Sequence, residues 1–247
     1  MTDAPINRLK ARLVAGETTR GCWLNLRSDA ATEIAGFSGA DWCLIDAEHG
    51  PFDPGDVLQQ IRVLAGTPAD PVIRLPAAEA WMLKQALDFG AQTIMVPMIE
   101  TADAAAQVVA ACRYPPAGIR GVGPSIARSG AYGARSNYVA TADAQMCVVV
   151  QAESTRALDN IEAIAAVDGI DGIFIGPADL AADMQADAQK VAAAIDQGIA
   201  RIAASGCAAG ILASPDMCAH YEALGATMVA IATDTNVLRT GLSEIFG

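Results

Sequence analysis

The chain has 247 residues, of which 53% are hydrophobic and 18% charged; this is ample material for a buried core and excludes a disordered chain. A formal net charge of −12 argues against binding a phosphate backbone, which needs clustered Lys and Arg, although one local arginine can still bind a carboxylate. Aromatic residues make up only 5%, so an aromatic binding platform is not expected.

The N-terminal stretch MTDAPINRLKARLVAG has no apolar core of signal-peptide length, and residues 7–16 predict a helix that plugs the start of the fold. Eight short apolar runs follow: GCWLNL from 21, WCLIDA from 42, PVIRL from 71, TIMVPM from 93, CVVVQAE from 147, GIFIGP from 172, AAGILA from 208 and MVAIATD from 228. They are rich in Val and Ile, bounded by Gly, Pro or Asp, and near-continuous rather than alternating, as strands buried on both faces should be. Between them, helices are predicted at 80–91, 101–113, 155–167, 190–206 and 215–226, with Thr101 as an N-cap and Gly90 as a C-terminal stop. Eight strands alternating with helices predict a (β/α)8 TIM barrel, one domain over 1–247. The alternative is a doubly wound open sheet, against which the first strand lacks a GxGxxG turn. The longest connection, 114–145, carries Pro115, Pro116 and several glycines.

The six cysteines form no CxxC pair and match no zinc spacing, so they read as small buried hydrophobes. No run approaches a membrane span, and a cytoplasmic protein with no nucleic-acid or membrane partner is expected.

A barrel carries its chemistry at the C-terminal ends of its strands. There stand Asp46, Glu48 and His49 after the second strand, Arg74 in the third, Gln151 and Glu153 at the end of the fifth and Asp179 past the sixth. Glu153 and Asp179 are the natural metal pair, since two carboxylates can hold one hard divalent cation and leave positions for water and substrate. The competing reading is that each caps the helix that follows. Arg74 interrupts an apolar strand; it either pairs with a carboxylate inside the mouth or binds an anionic substrate. His49, three residues after Asp46, reads as a general base whose tautomer the carboxylate fixes, or else as a loop histidine. His220, within MCAHYEAL, reads as a surface or packing histidine. Lys10, Lys84 and Lys190 all belong to predicted helices, so no lysine is placed for Schiff-base chemistry, and any carbonyl chemistry requires a metal as electron sink.

The stretches DWCLIDAEHGPFD, PVIRLP, LDFGAQTIMVPMIETADAA, YPPAGIRGVGPSIARSGAYG, MCVVVQAES, GIDGIFIGPADLAADM and AAGILA resemble the HpcH/HpaI family of class II, metal-dependent pyruvate aldolases, from about Trp23 to Asp234. The family includes 4-hydroxy-2-oxoheptanedioate and 2-keto-3-deoxy sugar acid aldolases. The resemblance implies reversible cleavage of a 4-hydroxy-2-oxo acid to pyruvate and an aldehyde. It also implies a homo-oligomer, a hexamer built as a trimer of dimers that exchange their C-terminal helices. Carried over residue by residue, it makes Glu153 and Asp179 the ligands of a divalent cation (Mg, Mn, Co, Ni or Zn). It makes Arg74 the contact to the pyruvate oxygens and His49, oriented by Asp46, the acid–base residue. Gln151 would orient the bound ligands, the backbone at Gly176, Pro177 and Ala178 would hold the carboxylate, and Leu212 would line the pocket.

Three departures bear on the aldehyde. The chain lacks the family's longer loop after ADLAADM, EHGPFD places Phe52 near the mouth, and LRSDA puts Arg27 at the end of the first strand. Arg27 would there recognise an acidic aldehyde or remain a solvated loop arginine. The nearest rivals keep the enolate: a lyase of acyl-CoA hydroxy acids, which needs a basic nucleotide-binding surface, and an oxaloacetate decarboxylase. A non-catalytic barrel is the rival of another class; it would have lost a metal ligand or the base.

Overall fold

Each of the eight apolar runs forms a strand in the computed structural model, which describes residues 2–247. The strands are β1 (Thr19–Leu24), β2 (Trp42–Asp46), β3 (Asp70–Arg74), β4 (Thr93–Val96), β5 (Cys147–Ala152), β6 (Gly172–Ile175), β7 (Ala208–Leu212) and β8 (Ala226–Thr233). They pair in sequence order and close into a barrel, with β1 pairing β8 in parallel. This is the expected (β/α)8 barrel, and the open-sheet alternative is excluded by the closure.

The continuous apolar runs arise because both faces of each strand are covered. In β2, Cys43 and Ile45 pack outward against the helices, while Trp42 and Leu44 fill the barrel. Val72, Val149 and Phe174 join the same interior layer, and Leu9 and Leu13 of α1 (Arg8–Val14) close it from below. The N-terminal helix is therefore the expected plug.

Between the strands run α2 (Asp29–Phe37), α3 (Pro54–Leu64), α4 (Ala80–Asp88), α5 (Ala102–Cys112) and α6 (Tyr138–Ala142). After β5 come α7 (Thr155–Asp159), α8 (Ile161–Ala165), α9 (Pro177–Met184), α10 (Ala188–Ala204), α11 (Cys218–Ala223) and α12 (Asp234–Phe246). Thr101 caps α5 as expected, accepting from the Ala104 N–H at 3.2 Å. Gly90 follows α4 at φ +100°, where a side chain would be strained. The single helix predicted over 155–167 is instead two, because the chain leaves helical geometry at Asn160.

The 114–145 connection packs under the barrel and against the N-terminus. Within it Arg120 is fully buried over the Tyr114 ring, 4.5 Å from its centroid, and pairs with Asp88 at 3.1 Å. All six cysteines are free thiols; five are buried and Cys207 is partly so, as their apolar contexts imply.

Candidate active site

The alternation that puts Leu44, Val72 and Val149 inside the barrel points the residue two further along each strand, Asp46, Arg74 and Gln151, into its C-terminal mouth. Strand register sets Asp46 directly beside Arg74. The two meet as a bidentate pair, with Arg74 Nε donating to Asp46 Oδ1 at 2.8 Å and its second nitrogen to Oδ2 at 2.7 Å. Arg74 is 7% exposed, stacks on the Trp23 ring at 4.9 Å, and reaches Glu48 with its remaining nitrogen at 2.9 Å.

Asp46 also accepts from the Trp23 indole at 3.1 Å, from the Asn25 amide at 2.6 Å, and from the backbone N–H groups of Glu48 and His49 at 3.2 Å each. Burial pushes its carboxyl up, but the Arg74 hydrogen bonds and charge prevail and hold it below the usual range. This corrects the expectation that Asp46 orients the His49 imidazole. Its oxygens are taken up by Arg74, Trp23 and Asn25, and it touches His49 only through the backbone. The carboxylate near the imidazole is Glu48, whose Oε1 lies 3.9 Å from Nε2 on a side chain 65% exposed. Asp46 is thus a positioning residue for Arg74.

Glu153, 3% exposed, follows β5. One oxygen accepts from the Gln151 amide at 2.8 Å and the other from the Met98 N–H at 3.1 Å. Burial, with the neighbouring charges of Glu48 and Asp179, pushes its carboxyl up to about 7. Gly176 packs against this carboxylate so closely that a Cβ there would collide with Oε1. Glu153 is therefore no helix cap; Ser154 caps α7 instead, accepting from the Ala157 N–H at 3.1 Å. Asp179 lies in the first turn of α9 without a capping hydrogen bond, and it is exposed rather than sheltered. Beside it the first-turn N–H groups of Ala178 and Asp179 have no intrahelical acceptor and present a site for a carboxylate.

Four carboxylates (Asp46, Glu48, Glu153, Asp179) thus share the mouth with one guanidinium, and the buried Gln151 Oε1 has no hydrogen-bond partner. Among the described residues no three His, Cys, Asp or Glu side chains converge as ligands. A cation here would rest on two carboxylates completed by water and substrate, a donor set that suits a hard divalent metal.

In the protein without metal, Glu153 has a pH signature. Its carboxyl is raised from 4.5 to about 7, so the folded state favours the protonated form. The stability this contributes is complete below the unfolded value and is lost as pH rises through about 7. Between about pH 5 and about pH 8, metal-free wild type should lose thermal stability relative to Glu153→Gln. A melting-temperature difference that stays constant across that interval refutes this.

Leu212 ends β7, partly buried against the interior layer. Arg27, half exposed, pairs through Nε with Asp56 at the start of α3 at 2.7 Å, in keeping with the loop-arginine reading. One expectation is corrected. Phe52 packs away from the mouth, lining a 230 Å³ apolar cavity between α3 and α4 with Val57, Ile73 and Met82. The connection from α9 to α10 is as short as the sequence implied: Gln185 in left-handed geometry, Ala186, then Asp187 capping α10. Sequence reasoning missed Trp23, Asn25 and Met98. Trp23 looks like core, Asn25 like a turn, and Met98 holds Glu153 from a left-handed backbone (φ +57°) that nothing in a methionine announces.

Fold and mouth together define a barrel enzyme whose C-terminal rim gathers carboxylates around one buried guanidinium. Residues 19–240 match the model of the HpcH/HpaI aldolase/citrate lyase family. A hydroxypyruvate/pyruvate aldolase of Roseobacter denitrificans is 47% identical over 247 residues, 97% of this chain and 96% of that one. A 2-keto-3-deoxy-L-rhamnonate aldolase of Escherichia coli is 45% identical, covering 96% and 91%. The crystal structure of an HpcH/HpaI aldolase/citrate lyase family protein from Burkholderia cenocepacia J2315 superposes with a TM-score of 0.92 at 40% identity, covering 98% and 100%. The chain belongs to the HpcH/HpaI aldolase family, and it is an enzyme, a carbon–carbon lyase.

Proposed function

We propose that this lyase is a divalent-metal-dependent aldolase that reversibly cleaves a 4-hydroxy-2-oxo acid to pyruvate and an aldehyde. The observation that carries this reading is Glu153: a buried carboxylate with no cation of its own, in a mouth where four carboxylates meet one guanidinium. Glu153 and Asp179 would hold the cation (Mg, Mn, Co, Ni or Zn), which when bound supplies Lewis acidity toward the 2-oxo acid. The names of the relatives extend the nucleophile to hydroxypyruvate and the substrates to 2-keto-3-deoxy sugar acids.

The chain's own residues do the rest. The backbone at Gly176, Pro177 and Ala178, with the free N–H groups of Ala178 and Asp179 as donors, binds the substrate carboxylate. Arg74, locked by Asp46 and backed by Trp23, donates to the 2-oxo oxygen as negative charge develops there. His49 takes the proton of the 4-hydroxyl; the C3–C4 bond breaks, its electron pair passes toward C2, and the carbonyl carbon leaves as aldehyde. The imidazolium of His49 then gives up that proton, directly or through water, to C3, which yields pyruvate and restores the base. Gln151 fixes the Glu153 carboxylate, and Leu212 supplies apolar wall. No lysine competes for the carbonyl: Lys10 pairs with Asp171 and Lys190 with Asp187, while Lys84 lies in α4.

The same reading makes the protein a cytoplasmic homo-oligomer, a trimer of dimers exchanging α12. In support, α12 buries none of its residues and leaves Val237, Leu238, Leu242, Ile245 and Phe246 exposed. No helix among the described residues is long and apolar enough to cross a membrane.

Deuterium exchange into the pyruvate methyl group tests the central claim. Exchange is expected with at least one of the five divalent metals and none without metal; no exchange with any of them would refute metal-dependent enolisation of pyruvate.

A further inference from the structure

The end of the barrel opposite the catalytic mouth carries a cavity into which several arginines are gathered. It measures 420 Å³ and lies between the start of β3, the end of α3 and the 114–145 connection. Arg8, Arg128 and Arg135 line it, and Arg62 stands at its rim, donating to the hydroxyl of the lining Tyr132 at 3.4 Å. The acidic side chain in its wall is Asp70, which Arg8 already neutralises at 2.6 Å.

The other three arginines have no carboxylate partner. That is out of keeping with the rest of the chain, where 28 acidic residues face 16 basic ones. Arg12, Arg20, Arg27, Arg74 and Arg113 each meet a carboxylate within 4.0 Å, as do Arg120, Arg156 and Arg201. Among the described residues only Arg62, Arg128, Arg135 and Arg239 do not, and three of these four gather around one cavity. Neighbouring uncompensated guanidinium groups repel each other. Burial, together with Arg62 and Arg135, holds Arg128 below its ordinary value.

Three further features mark the cavity as built. Ser129, 2% exposed, lines it with a hydroxyl that has no hydrogen-bond partner. Arg128 is pinned by the Phe89 carbonyl at 2.9 Å and Arg135 by the Ser129 carbonyl at 2.5 Å, so each guanidinium is held in place while retaining free donors. The chain between them turns through consecutive left-handed residues, Ala131 and Tyr132, a strained path that keeps both arginines on the same cavity.

We propose that this cavity is a binding site for a small oxyanion, a phosphate or a phosphorylated carboxylic acid, held by Arg128 and Arg135 with the Ser129 hydroxyl and screened by Arg62. Guanidinium forks and a hydroxyl match tetrahedral or planar oxyanions, and the volume admits a metabolite of a few carbons. The site is separate from the substrate carboxylate site at the start of α9, being at the other end of the barrel.

Isothermal titration of metal-free protein with inorganic phosphate and with 3-phosphoglycerate tests it. Saturable binding of one anion per chain is expected, weakened at least tenfold by Arg135→Gln and measurably by the exposed Arg62→Gln, and unchanged by Arg74→Lys. Equal affinity for the two probes assigns the site to free phosphate; tighter 3-phosphoglycerate binding assigns it to a phosphorylated acid. Arg128→Gln should act like Arg135→Gln; if it does not fold, Arg62→Gln and Arg135→Gln still decide. Absence of saturable binding, binding indifferent to both of those substitutions, or binding lost in Arg74→Lys would overturn the proposal. So would dissociation of the oligomer on Arg62→Glu without any anion binding by wild type, since the arginines would then face carboxylates of a second copy.

Discussion

Glu153→Ala is expected to abolish metal-dependent turnover, lowering kcat by at least about a thousandfold. The loss follows from forfeiting a cation that contributes several kcal/mol of charge stabilisation, at about 1.36 kcal/mol per factor of ten. Glu153 is the more revealing of the two proposed ligands because the fold is built around it. Gln151 and the Met98 N–H aim its two oxygens, and Gly176 leaves it room. Metal titration of the variant should show binding weakened in parallel with kcat. Full pyruvate release by Glu153→Ala in chelator would refute the assignment. The variant should also fold, because removing a buried carboxylate that is raised to about 7 relieves a desolvated charge at neutral pH.

Arg74 is expected to give the second large effect, on two separate readouts. Arg74→Lys keeps a positive charge but loses the planar fork, and removing one such donor from a developing oxyanion costs about a hundredfold to a thousandfold in kcat. Arg74→Ala additionally leaves Asp46 buried without its cation, a loss of about 3–5 kcal/mol of stability. Urea denaturation and steady-state kinetics on both variants separate the two roles. If Arg74→Lys keeps wild-type kcat, the guanidinium serves only as the partner of Asp46. Metal affinity should change little in Arg74→Lys, which sets its profile apart from that of Glu153→Ala.

Much of the mouth is legible in the sequence. A strand buried on both faces reads as a continuous apolar run, so a polar residue at its C-terminal end is conspicuous, and period-two alternation says which face it takes. That is why Asp46, Arg74, Gln151 and Glu153 stood out. The helices were less visible. α2, α3 and α9 went unpredicted although Asp53 and Asp56 form a capping box at the start of α3. In α2 the exposed face itself carries Ile34 and Phe37, which blurs the contrast between an apolar and a polar face.

The local pattern of side chains is enough to determine the barrel, its plug and the end at which chemistry sits, because burial on both strand faces leaves a signature within each segment. What it could not determine is which charges meet. Asp46 pairs with Arg74, 28 residues away, because parallel register sets them side by side, and this takes from His49 the carboxylate three residues before it. Arg27 turns to Asp56 and Phe52 packs between α3 and α4, away from the mouth, for the same kind of reason. Arg62, Arg128 and Arg135 are scattered through an acidic sequence and become a cluster only when the 114–145 connection folds beneath the barrel. Electrostatic partnership depends on distances of a few ångströms between segments far apart in the chain, and only tertiary packing sets those distances.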